Sequence, residues 1–364
     1  MNKILIISPD YYPAKGGVET FLFHLIKYLL DKYNIEIFSG TRISPKISKK
    51  YSINNILVNK YRTFKLFGID LPLSIFTYYN LYKAIKKVDI IFMNDVKLFF
   101  FSSVFFSKLL NKKTILASNG FIFHNKRYIV FKKIFIKIYI YLIKKFINKV
   151  VAIGEVDYQF TVKNNIQYIF INDGISIEKF NCNRNFIKDY FIYFGRLASN
   201  KGIDRLLNFL FIYKKKSPNF KINIMGTGDD SYTQFLKKKI IDLNLSENVK
   251  LCGEFSHNDL LRELSKCEFV FNPSRFESFG FTLLEALASG CTVIASNIDQ
   301  YKFIYNESNV FYTIDFDDVN FVLNTINKAR SNYKNINLGA INLAKKYSID
   351  RTHEKYLKVL NEIS

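Results

Sequence analysis

The sequence lacks the features of a disulfide framework, of a cysteine-based metal site and of a signal peptide. Its four cysteines, Cys182, Cys252, Cys267 and Cys291, have no spacing typical of metal ligands or of a redox pair. We therefore expect buried free thiols in a reducing compartment. Residues 1–8 carry one lysine and run directly into a strand pattern, without the apolar core and cleavage site of a signal peptide.

Long apolar runs are also missing. Residues 98–107 form an apolar run of ten, and Lys137 interrupts the run at 134–143, whereas a membrane-spanning helix needs about 20 apolar residues. Hydrophobic residues make up 49% and charged residues 23% of the 364 residues, which excludes disordered, collagen-like and coiled-coil chains. A chain of this length favours two domains.

Acidic side chains are scarce, most of all in one segment. The chain has 53 basic and 31 acidic residues, and its net charge of +22 indicates an anionic partner. No Asp or Glu lies between Asp95 and Glu155, where twelve Lys and Arg alternate with large apolar residues. This mixture fits a site for a membrane surface, although a solvated charged face is the alternative. The predicted membrane patch consists of Lys132, Lys133, Lys137, Lys144 and Lys145.

The same segment has a helical pattern. Six apolar residues recur at helical spacing, so we expect part of their face in the core. They are Phe131, Ile134, Phe135, Ile138, Leu142 and Phe146.

Strand and helix patterns alternate along the chain in two successive series. The first begins with a strand at 3–8 and a helix at 19–30, and the second with a strand at 190–194. They predict two doubly wound α/β domains with parallel sheets. A turn at Asn172-Asp-Gly174 marks the join. We predict domains at 1–180 and 181–346, and a helix in 347–364 that packs back towards the first domain. Further strands are predicted at 35–39, 88–93, 114–117, 150–153, 221–225, 249–252, 269–272 and 292–295.

Ligands of such sheets bind beyond the carboxyl ends of the strands, so the loops there hold the candidate residues. Gly16 and Gly17 precede the first helix, where glycine lets backbone N–H groups approach a phosphate; a plain loop is an equal alternative.

Arg196 and Lys201 follow the first strand of the second domain, next to Gly195. Two cations at that point would neutralise a diphosphate leaving group. The alternative is two exposed basic residues in a basic chain.

The most informative block follows the predicted strand at 269–272. Glu277 lies in the loop, residues 279–281 lead into a helix whose first N–H groups are free to bind oxygen anions, and Glu285 lies one turn later. The two carboxylates can bracket a polyhydroxyl ligand; a helix cap and a surface charge are the alternative. Gly226 lies in another glycine-rich strand end, which matches neither a dinucleotide fingerprint nor a P-loop.

Together these segments resemble the retaining glycosyltransferases of the GT-B fold, specifically glycosyltransferase family 4 of the bacterial cell-surface polysaccharide type. The resemblance covers both domains in the expected order. It implies two doubly wound Rossmann-like parallel-sheet domains facing a cleft, with acceptor binding in the first and donor binding in the second. The matching segments are residues 13–19, 121–124, 172–175, 194–202, 225–228 and 277–285.

The resemblance also implies a role for each candidate residue. Arg196 and Lys201 would hold the donor diphosphate, Glu277 would bind hydroxyls of the transferred sugar, Glu285 would bind the ribose, and His124 would touch the sugar from the first domain. The donor-binding set further includes Gly16, Gly17, Gly195, Gly226, Ser278, Phe279, Gly280 and Phe281.

The chain departs from the family pattern at two points. Asn119-Gly120 stands where the family often has His-Gly, and Ser278 follows Glu277 where the family often has glycine. Neither change removes a charged group. Both affect contacts on the sugar side, and hence the identity of the donor.

The implied reaction needs no metal. The acceptor hydroxyl attacks the face from which the nucleotide diphosphate leaves, and Arg196 and Lys201 stabilise the developing charge. Asp315-Phe-Asp317 superficially matches a metal-binding Asp-x-Asp motif. It lies beside Asp318 before a predicted helix, so we predict a helix N-cap and no cofactor.

The expected partners are a UDP- or GDP-linked hexose, a lipid-linked or lipopolysaccharide glycan acceptor, and an anionic membrane surface. We expect a cytoplasmic enzyme attached peripherally to the inner face of the membrane, acting in O-antigen, capsule or lipopolysaccharide assembly. A glycosyltransferase with a soluble acceptor is the first alternative. A nucleic-acid-binding protein would explain the positive charge but not Glu277 and Glu285, and the sequence has no nucleic-acid-binding module. We therefore expect no nucleic acid partner.

Overall fold

The structure is a computed structural model that describes most of the chain. The described residues are 2–11, 17–40, 50–53, 56–66, 69–72, 74–96, 99–118, 129–277, 279–299, 301, 304 and 311–364. The chain divides into two compact units, one made of Met1–Asp173 with Thr352–Ser364 and the other of Gly174–Arg351. Within the described ranges, no helix is both long and apolar enough to cross a bilayer.

The first unit contains a mostly parallel sheet. In chain order its elements are β1 (Lys3–Ser8), α1 (Gly17–Leu29), β2 (Asn34–Gly40), β3 (Lys50–Ile53), β4 (Ile56–Tyr61), β5 (Thr63–Leu66), β6 (Ile69–Pro72), α2 (Ile75–Lys86), β7 (Ile90–Met93), α3 (Phe100–Leu109), β8 (Lys113–Ser118), α4 (Ile129–Phe146), β9 (Lys149–Ala152), α5 (Glu155–Lys163) and β10 (Ile169–Phe170). The strand order is β10-β9-β8-β7-β1-β2-β4-β3, and β5 and β6 form a separate hairpin. Only β3 runs antiparallel to its neighbour in the described sheet.

The second unit contains a fully parallel described sheet. Its elements are β11 (Tyr190–Phe194), α6 (Ile203–Tyr213), β12 (Lys221–Met225), α7 (Asp230–Asp242), β13 (Val249–Gly253), α8 (His257–Lys266), β14 (Phe269–Asn272), α9 (Phe281–Ala288), β15 (Thr292–Ser296), β16 (Tyr312–Ile314), α10 (Val319–Ser331) and α11 (Tyr333–Lys346), followed by α12 (Ile349–Ile363). The strand order is β13-β12-β11-β14-β15-β16. The order reverses between β11 and β14, so the sheet has its switch point there.

Alternate residues of the strands in the second unit pack on opposite faces of the sheet. Ile192 and Val270 belong to one buried cluster together with Leu283 of α9. Phe191 and Phe271 belong to another, to which α6 and α10 contribute. Because a strand side chain points to alternate faces with a period of two, helices cover both faces. This is the doubly wound arrangement that the alternating sequence pattern predicts.

The first unit is built in the same way. On one face, Leu5 and Ile7 of β1 pack with α2, α3 and α4 in a single cluster. On the other, Tyr356 of α12 packs against Phe21 of α1 and Phe92 of β7, each with ring centroids 5.8 Å apart. Most of the last helix therefore contributes its core residues to the first unit.

The strands predicted from apolar runs are confirmed with shifts of one or two residues at their ends. The pairs β3–β4 and β5–β6 were not predicted. The region at 50–72 mixes polar and apolar residues without the long apolar runs of a buried parallel strand. Such a pattern carries little signal for an antiparallel edge or a short hairpin.

The prediction that part of the apolar face of α4 lies in the core is confirmed for Leu142 and Phe146, which pack against the core cluster, but the fully buried residues lie one position away. Tyr139 and Ile143 are buried, with 4% and 1% of their surface exposed, whereas Ile138 is 43% exposed. Leu142 and Phe146 are half-buried. Tyr139 packs on Phe100 of α3 with ring centroids 4.9 Å apart, which sets the rotation of the helix.

All four cysteines are free, as predicted. Cys267 and Cys291 are buried, with their sulfur atoms 4.0 Å apart, and Arg184 donates a hydrogen bond to Cys291 Sγ at 2.5 Å. Cys182 and Cys252 are only half-buried, so the expectation of four buried thiols is half wrong.

Candidate functional site

Two predicted site residues meet at the switch point of the second sheet. Because β11 and β14 are parallel neighbours, the loops that follow them begin side by side. Lys201 from the first loop places its Nζ 2.7 Å and 2.6 Å from the two carboxylate oxygens of Glu277 in the second. Their side chains are only 14% and 8% exposed. The site therefore contains a largely buried ion pair between residues 76 positions apart in the chain.

Further contacts tie these two loops together. The backbone N–H of Arg275 donates to the carbonyl of Asn200 at 2.8 Å. The Arg275 guanidinium also makes two hydrogen bonds of 2.7 Å to Asp204 in the first turn of α6. Gly202 has φ +65°, and a Cβ there would lie 2.0 Å from the carbonyl oxygen of Pro273. Only glycine lets the loops approach this closely, so Gly202 helps to place Lys201 against Glu277.

The Glu277 carboxylate also has a neutral partner. Ser274 Oγ lies 2.7 Å from Glu277 Oε1 and 3.0 Å from the side-chain oxygen of Asn272. Asn272 in turn donates to the hydroxyl of Thr282 in α9 at 3.1 Å. This chain of polar side chains runs from the end of β14 into α9. It fixes the carboxylate at the carboxyl edge of the sheet, where it can accept hydrogen bonds from hydroxyl groups of a ligand.

The loops after β11 and β12 lie backbone to backbone. Gly226 has φ +142°, and a Cβ there would lie 1.8 Å from the carbonyl oxygen of Gly195. A Cβ at Gly228 would lie equally close to the carbonyl oxygen of Leu197. The predicted glycines Gly195 and Gly226 are therefore next to each other. A side chain at Gly226 would clash with backbone, whereas Gly195 has φ +137°, which favours glycine without such a clash.

Arg196 is exposed in the loop that follows β11. Its carbonyl accepts a hydrogen bond of 2.8 Å from the hydroxyl of Tyr193, which anchors the residue. Burial and the nearby negative charge of Glu277 raise the pKa of Tyr193, so this phenol stays protonated. The Arg196 guanidinium forms no ion pair with a carboxylate of the described residues. It is therefore a cation at the carboxyl edge of the sheet that can pair with an anionic ligand.

The N-terminus of α9 lies on the same loop as Glu277. Gly280 precedes the helix with φ +99°, and a Cβ there would lie 2.6 Å from the ring of Tyr301. Phe279 is buried and packs edge-to-face on Phe281, with ring centroids 5.3 Å apart. The first N–H groups of a helix have no intrahelical acceptor, so this turn can donate hydrogen bonds to an oxygen-rich ligand.

Glu285 lies one turn into α9 and is half-buried. Burial raises the pKa of its carboxyl to about 7. Among the described side chains, no donor forms a hydrogen bond with this carboxylate. A partly buried carboxyl without a partner is costly when ionised, and the hydroxyl groups of a ligand would lower that cost.

Several predicted residues cannot be placed in this site. Gly16, His124 and Ser278 lie outside the described residues, and Gly17 is described only as the first residue of α1. In the predicted membrane patch, Lys137, Lys144 and Lys145 are exposed on α4, while the side chains of Lys132 and Lys133 lie outside the described set.

The Asp-x-Asp segment precedes α10. Asp318 is its N-cap and accepts a hydrogen bond of 3.1 Å from the N–H of Phe321, as predicted. Asp315 accepts one of 3.0 Å from the N–H of Asp317. The predicted independence of metal stays a prediction.

The residues that support the site were not predicted. Ser274, Arg275 and Asp204 follow strands or begin a helix, as the predicted residues do, but polar residues at such positions are common. One local feature could have pointed to Arg275: it lies two residues before the predicted site residue Glu277. The partner of Arg275, Asp204, is 71 residues away, so their contact follows from the strand order alone.

Comparison with known proteins finds a matching family model and several relatives. Residues 175–335 match the family model described as Glycosyl transferases group 1. The chain is 26% identical over 335 residues to an uncharacterized 41.2 kDa protein in the cps region of Klebsiella pneumoniae, covering 85% of this chain and 86% of that protein. It is 23% identical over 239 residues to GDP-mannose:cellobiosyl-diphosphopolyprenol alpha-mannosyltransferase of Xanthomonas oryzae pv. oryzae, covering 65% of this chain and 63% of that protein.

Solved structures share the fold. Alr3699/HepE of Anabaena in complex with UDP and glucose has a TM-score of 0.76 at 16% identity, covering 99% of this chain and 100% of that chain. This confirms the predicted fold class, GT-B, with two Rossmann-like parallel-sheet domains. The chain spans only 26% to 63% of the length of three curated relatives that it matches.

Proposed function

We propose, on the premise that residues 175–335 form a domain of the glycosyl transferases group 1 family, that this protein is a retaining hexosyltransferase. It moves a hexose from a nucleotide-diphosphate sugar to a hydroxyl of a membrane-associated glycan. The observation that carries the proposal is the Lys201–Glu277 pair at the switch point, with exposed Arg196 on the adjoining loop. A carboxylate for sugar hydroxyls and cations for a diphosphate are thereby held at one sheet edge.

The donor diphosphate binds to Arg196 and Lys201. The bond between the anomeric carbon and the diphosphate oxygen breaks while the acceptor oxygen bonds to the same face, so the anomeric configuration is retained. The acceptor proton leaves with the nucleotide diphosphate. Negative charge grows on the departing phosphate, and fixed cations with the N-terminus of α9 stabilise it in the transition state. Glu277 orients the sugar through its hydroxyl groups.

The nucleotide binds through Glu285. Its carboxyl lacks a partner among the described side chains and has a raised pKa, and two ribose hydroxyls would supply the missing hydrogen bonds. The base is that of a UDP- or GDP-linked sugar. The Anabaena structure holds UDP and glucose, whereas the Xanthomonas relative is named for GDP-mannose.

The reaction is proposed to be independent of metal, because Arg196 and Lys201 would supply the positive charge that a divalent ion otherwise gives to a diphosphate. The test is glycosyl transfer in EDTA compared with added Mn²⁺ or Mg²⁺. Unchanged turnover in EDTA supports the proposal, and a strict requirement for either ion contradicts it.

The acceptor is a lipid-linked or lipopolysaccharide glycan at the inner face of the cytoplasmic membrane, as in O-antigen, capsule or lipopolysaccharide assembly. Support comes from residues 96–154, which contain no acidic residue, and from exposed Lys137, Lys144 and Lys145. One relative is named for a diphosphopolyprenol acceptor, and another is a protein of a cps region. A soluble acceptor is the second candidate, because it would use the same donor site.

The experiment that tests the function begins with a thermal-shift panel of UDP- and GDP-sugars. A donor at 100 times its dissociation constant should add about 2.7 kcal/mol of stability. The stabilising donor is then incubated with lipid-linked acceptor, and the anomeric configuration of the product is read by NMR. Transfer with retention supports the proposal. Stabilisation by no nucleotide sugar, or a product of inverted configuration, contradicts it. Equal rates on soluble acceptors without lipid favour the second candidate.

A further inference from the structure

An apolar groove lies between α3 and α4 in the first unit. Its volume is about 240 Å³. Apart from one lysine, the side chains that form it are aliphatic or aromatic. They are Phe101, Val104, Phe105, Lys108, Leu109, Leu142 and Phe146.

The groove faces solvent, although its walls are apolar. Phe105 is 64% and Leu109 is 63% exposed, so neither belongs to the core. The two helices bury other residues, Phe100 of α3 and Tyr139 of α4. Isolated exposed apolar residues need no explanation, but a contiguous concave set of them is typical of a binding surface.

The rim of the groove is cationic. Lys108 Nζ lies 5.9 Å from the ring centroid of Phe146, and Lys145 Nζ lies 5.6 Å from the same centroid on the other helix. Lys145 also donates to the hydroxyl of Tyr141 at 2.8 Å. Neither lysine pairs with a carboxylate in the described part of the chain, and residues 96–154 contain none. A matching ligand has a hydrocarbon part and an anionic group at one end.

We propose that this groove binds one acyl chain of an anionic membrane phospholipid, with the phosphate of its head group between Lys108 and Lys145. The inference rests on the proposed attachment of this unit to the membrane and names its molecular partner. The volume lies below the about 300–1,000 Å³ of sites that enclose a drug-sized ligand, so it suits a single chain. A second copy of the protein would bring further lysines to the rim, and the like charges would repel.

The test uses the complete absence of tryptophan from the chain. Phe105→Trp introduces a single fluorophore at the groove. Phe235→Trp, on α7 of the second unit, is the matched control, because Phe235 is also exposed, at 48%. Each variant is mixed with phosphatidylglycerol vesicles whose acyl chains carry bromine, which quenches tryptophan on contact. We expect quenching of Phe105→Trp and none of Phe235→Trp. Equal fluorescence of the two variants in bound protein overturns the groove assignment but leaves the membrane attachment standing.

A second arm measures affinity with serine variants of exposed residues, so that the fold is preserved. Phe105→Ser with Leu109→Ser should weaken vesicle binding about tenfold or more, because apolar contact with the chain is lost. Phe235→Ser with Ile241→Ser, which removes two exposed apolar side chains from the second unit, should leave binding unchanged. If the wild type does not bind these vesicles at all, the proposed attachment fails and the inference fails with it.

Two more outcomes identify a different occupant. Quenching that occurs only when brominated polyprenyl phosphate is added would assign the groove to an isoprenoid chain and overturn the phospholipid assignment. Self-association in the absence of vesicles, abolished by Phe105→Ser with Leu109→Ser, would make the groove an interface between copies. Either result would overturn the proposal that the groove binds a phospholipid acyl chain.

Discussion

Lys201 Nζ lies within 2.7 Å of both carboxylate oxygens of Glu277, and the pair is largely shielded from water. Such a pair is costly to break from one side, because the remaining charge stays buried without a partner. Its Lys nitrogen has donors enough for both the carboxylate and a diphosphate oxygen. The pair is therefore a structural element of the free protein, and under the proposed function it also contacts the donor.

The first prediction concerns the stability of this pair. Lys201→Ala should lower the free energy of unfolding by up to about 3–5 kcal/mol, because Glu277 loses its cation. The double variant Lys201→Ala/Glu277→Ala should recover part of this loss. Urea denaturation of the wild type, both single variants and the double variant gives the coupling energy. Additive single effects would show that the pair contributes nothing of its own.

The second prediction concerns turnover. Arg196→Ala should leave urea stability unchanged, because the side chain is exposed and has no carboxylate partner among the described residues. It should lower kcat by about 10²–10³-fold, since it acts on charge that develops in the transition state. Arg262→Ala, at another exposed arginine of the same unit, is the control and should retain full activity. A kcat equal to that of the wild type would remove Arg196 from the donor site.

Glu285 provides a pH-dependent prediction. Its carboxyl has a pKa of about 7 in the free protein, and ribose hydroxyls donate better to the ionised form. Donor affinity should therefore rise as the pH is increased from about 6 to about 8. Glu285→Ala should weaken binding about 10- to 150-fold at pH 8, the loss of a charged hydrogen bond of about 1.5–3 kcal/mol. Titration calorimetry with the nucleotide measures both effects.

The control for this experiment is Glu285→Gln. It keeps a hydrogen-bond acceptor but cannot ionise, so its affinity should be nearly independent of pH. A wild-type affinity that is equally flat, or an unchanged affinity in folded Glu285→Ala, would show that this carboxyl does not contact the nucleotide.

A buried acid in the first unit gives a prediction about stability. Asp173 is 2% exposed, its Oδ1 has no hydrogen-bond partner among the described atoms, and burial raises its pKa to about 7. Between pH about 4 and about 7 the folded state therefore binds a proton that the unfolded state has lost. Stability should fall as the pH rises through this window, by up to about 1.4 kcal/mol per unit, and then level off.

Asp173→Asn removes the ionisation while nearly preserving the shape. The variant should match the wild type near pH 4 and unfold at a higher urea concentration at pH 8. Because Glu285 also has a raised pKa, both proteins are compared in the Glu285→Gln background. Parallel pH profiles of the two would contradict the assignment of this loss to Asp173.

The sequence alone predicts the strands well and the contacts poorly. Apolar runs such as 190–194 and 269–272 are buried parallel strands, and the rule that ligands bind after strands selects Arg196, Lys201 and Glu277 correctly as residues of one edge. Their mutual distances depend on which strands are neighbours. β11 pairs with β14, which lies three strands further along the chain, and no local pattern encodes that choice.

The helix α4 shows the same limit at the level of one element. Its spacing correctly predicts a helix, but several stripes of its surface are apolar. The core stripe contains Tyr139 and Ile143, because Phe100 of α3 offers Tyr139 a packing partner. Leu142 and Phe146 are half-buried at the edge of the core and also line the open groove. Periodicity identifies an amphipathic helix, whereas tertiary packing decides which stripe is buried.

The last prediction concerns the lysines of α4. Changing Lys132, Lys133, Lys137, Lys144 and Lys145 to Gln should reduce co-sedimentation with phosphatidylglycerol vesicles, because each Lys near an anionic surface contributes about 1 kcal/mol. Binding of the wild type should weaken with salt, which shortens the screening length from about 10 Å at 0.1 M to about 3 Å at 1 M. Activity on a soluble acceptor should be unchanged, since none of these lysines is among the residues proposed to bind the donor.

The matched control removes the same charge from the second unit. Lys215, Lys216, Lys237, Lys238 and Lys250 are exposed there, and their replacement by Gln also lowers the net charge from +22 to +17. If position decides binding, only the α4 variant loses it. If both variants lose binding equally, attraction comes from the net charge of the whole protein. If the α4 variant pellets as the wild type does, α4 is a solvated face and the soluble-acceptor candidate is favoured.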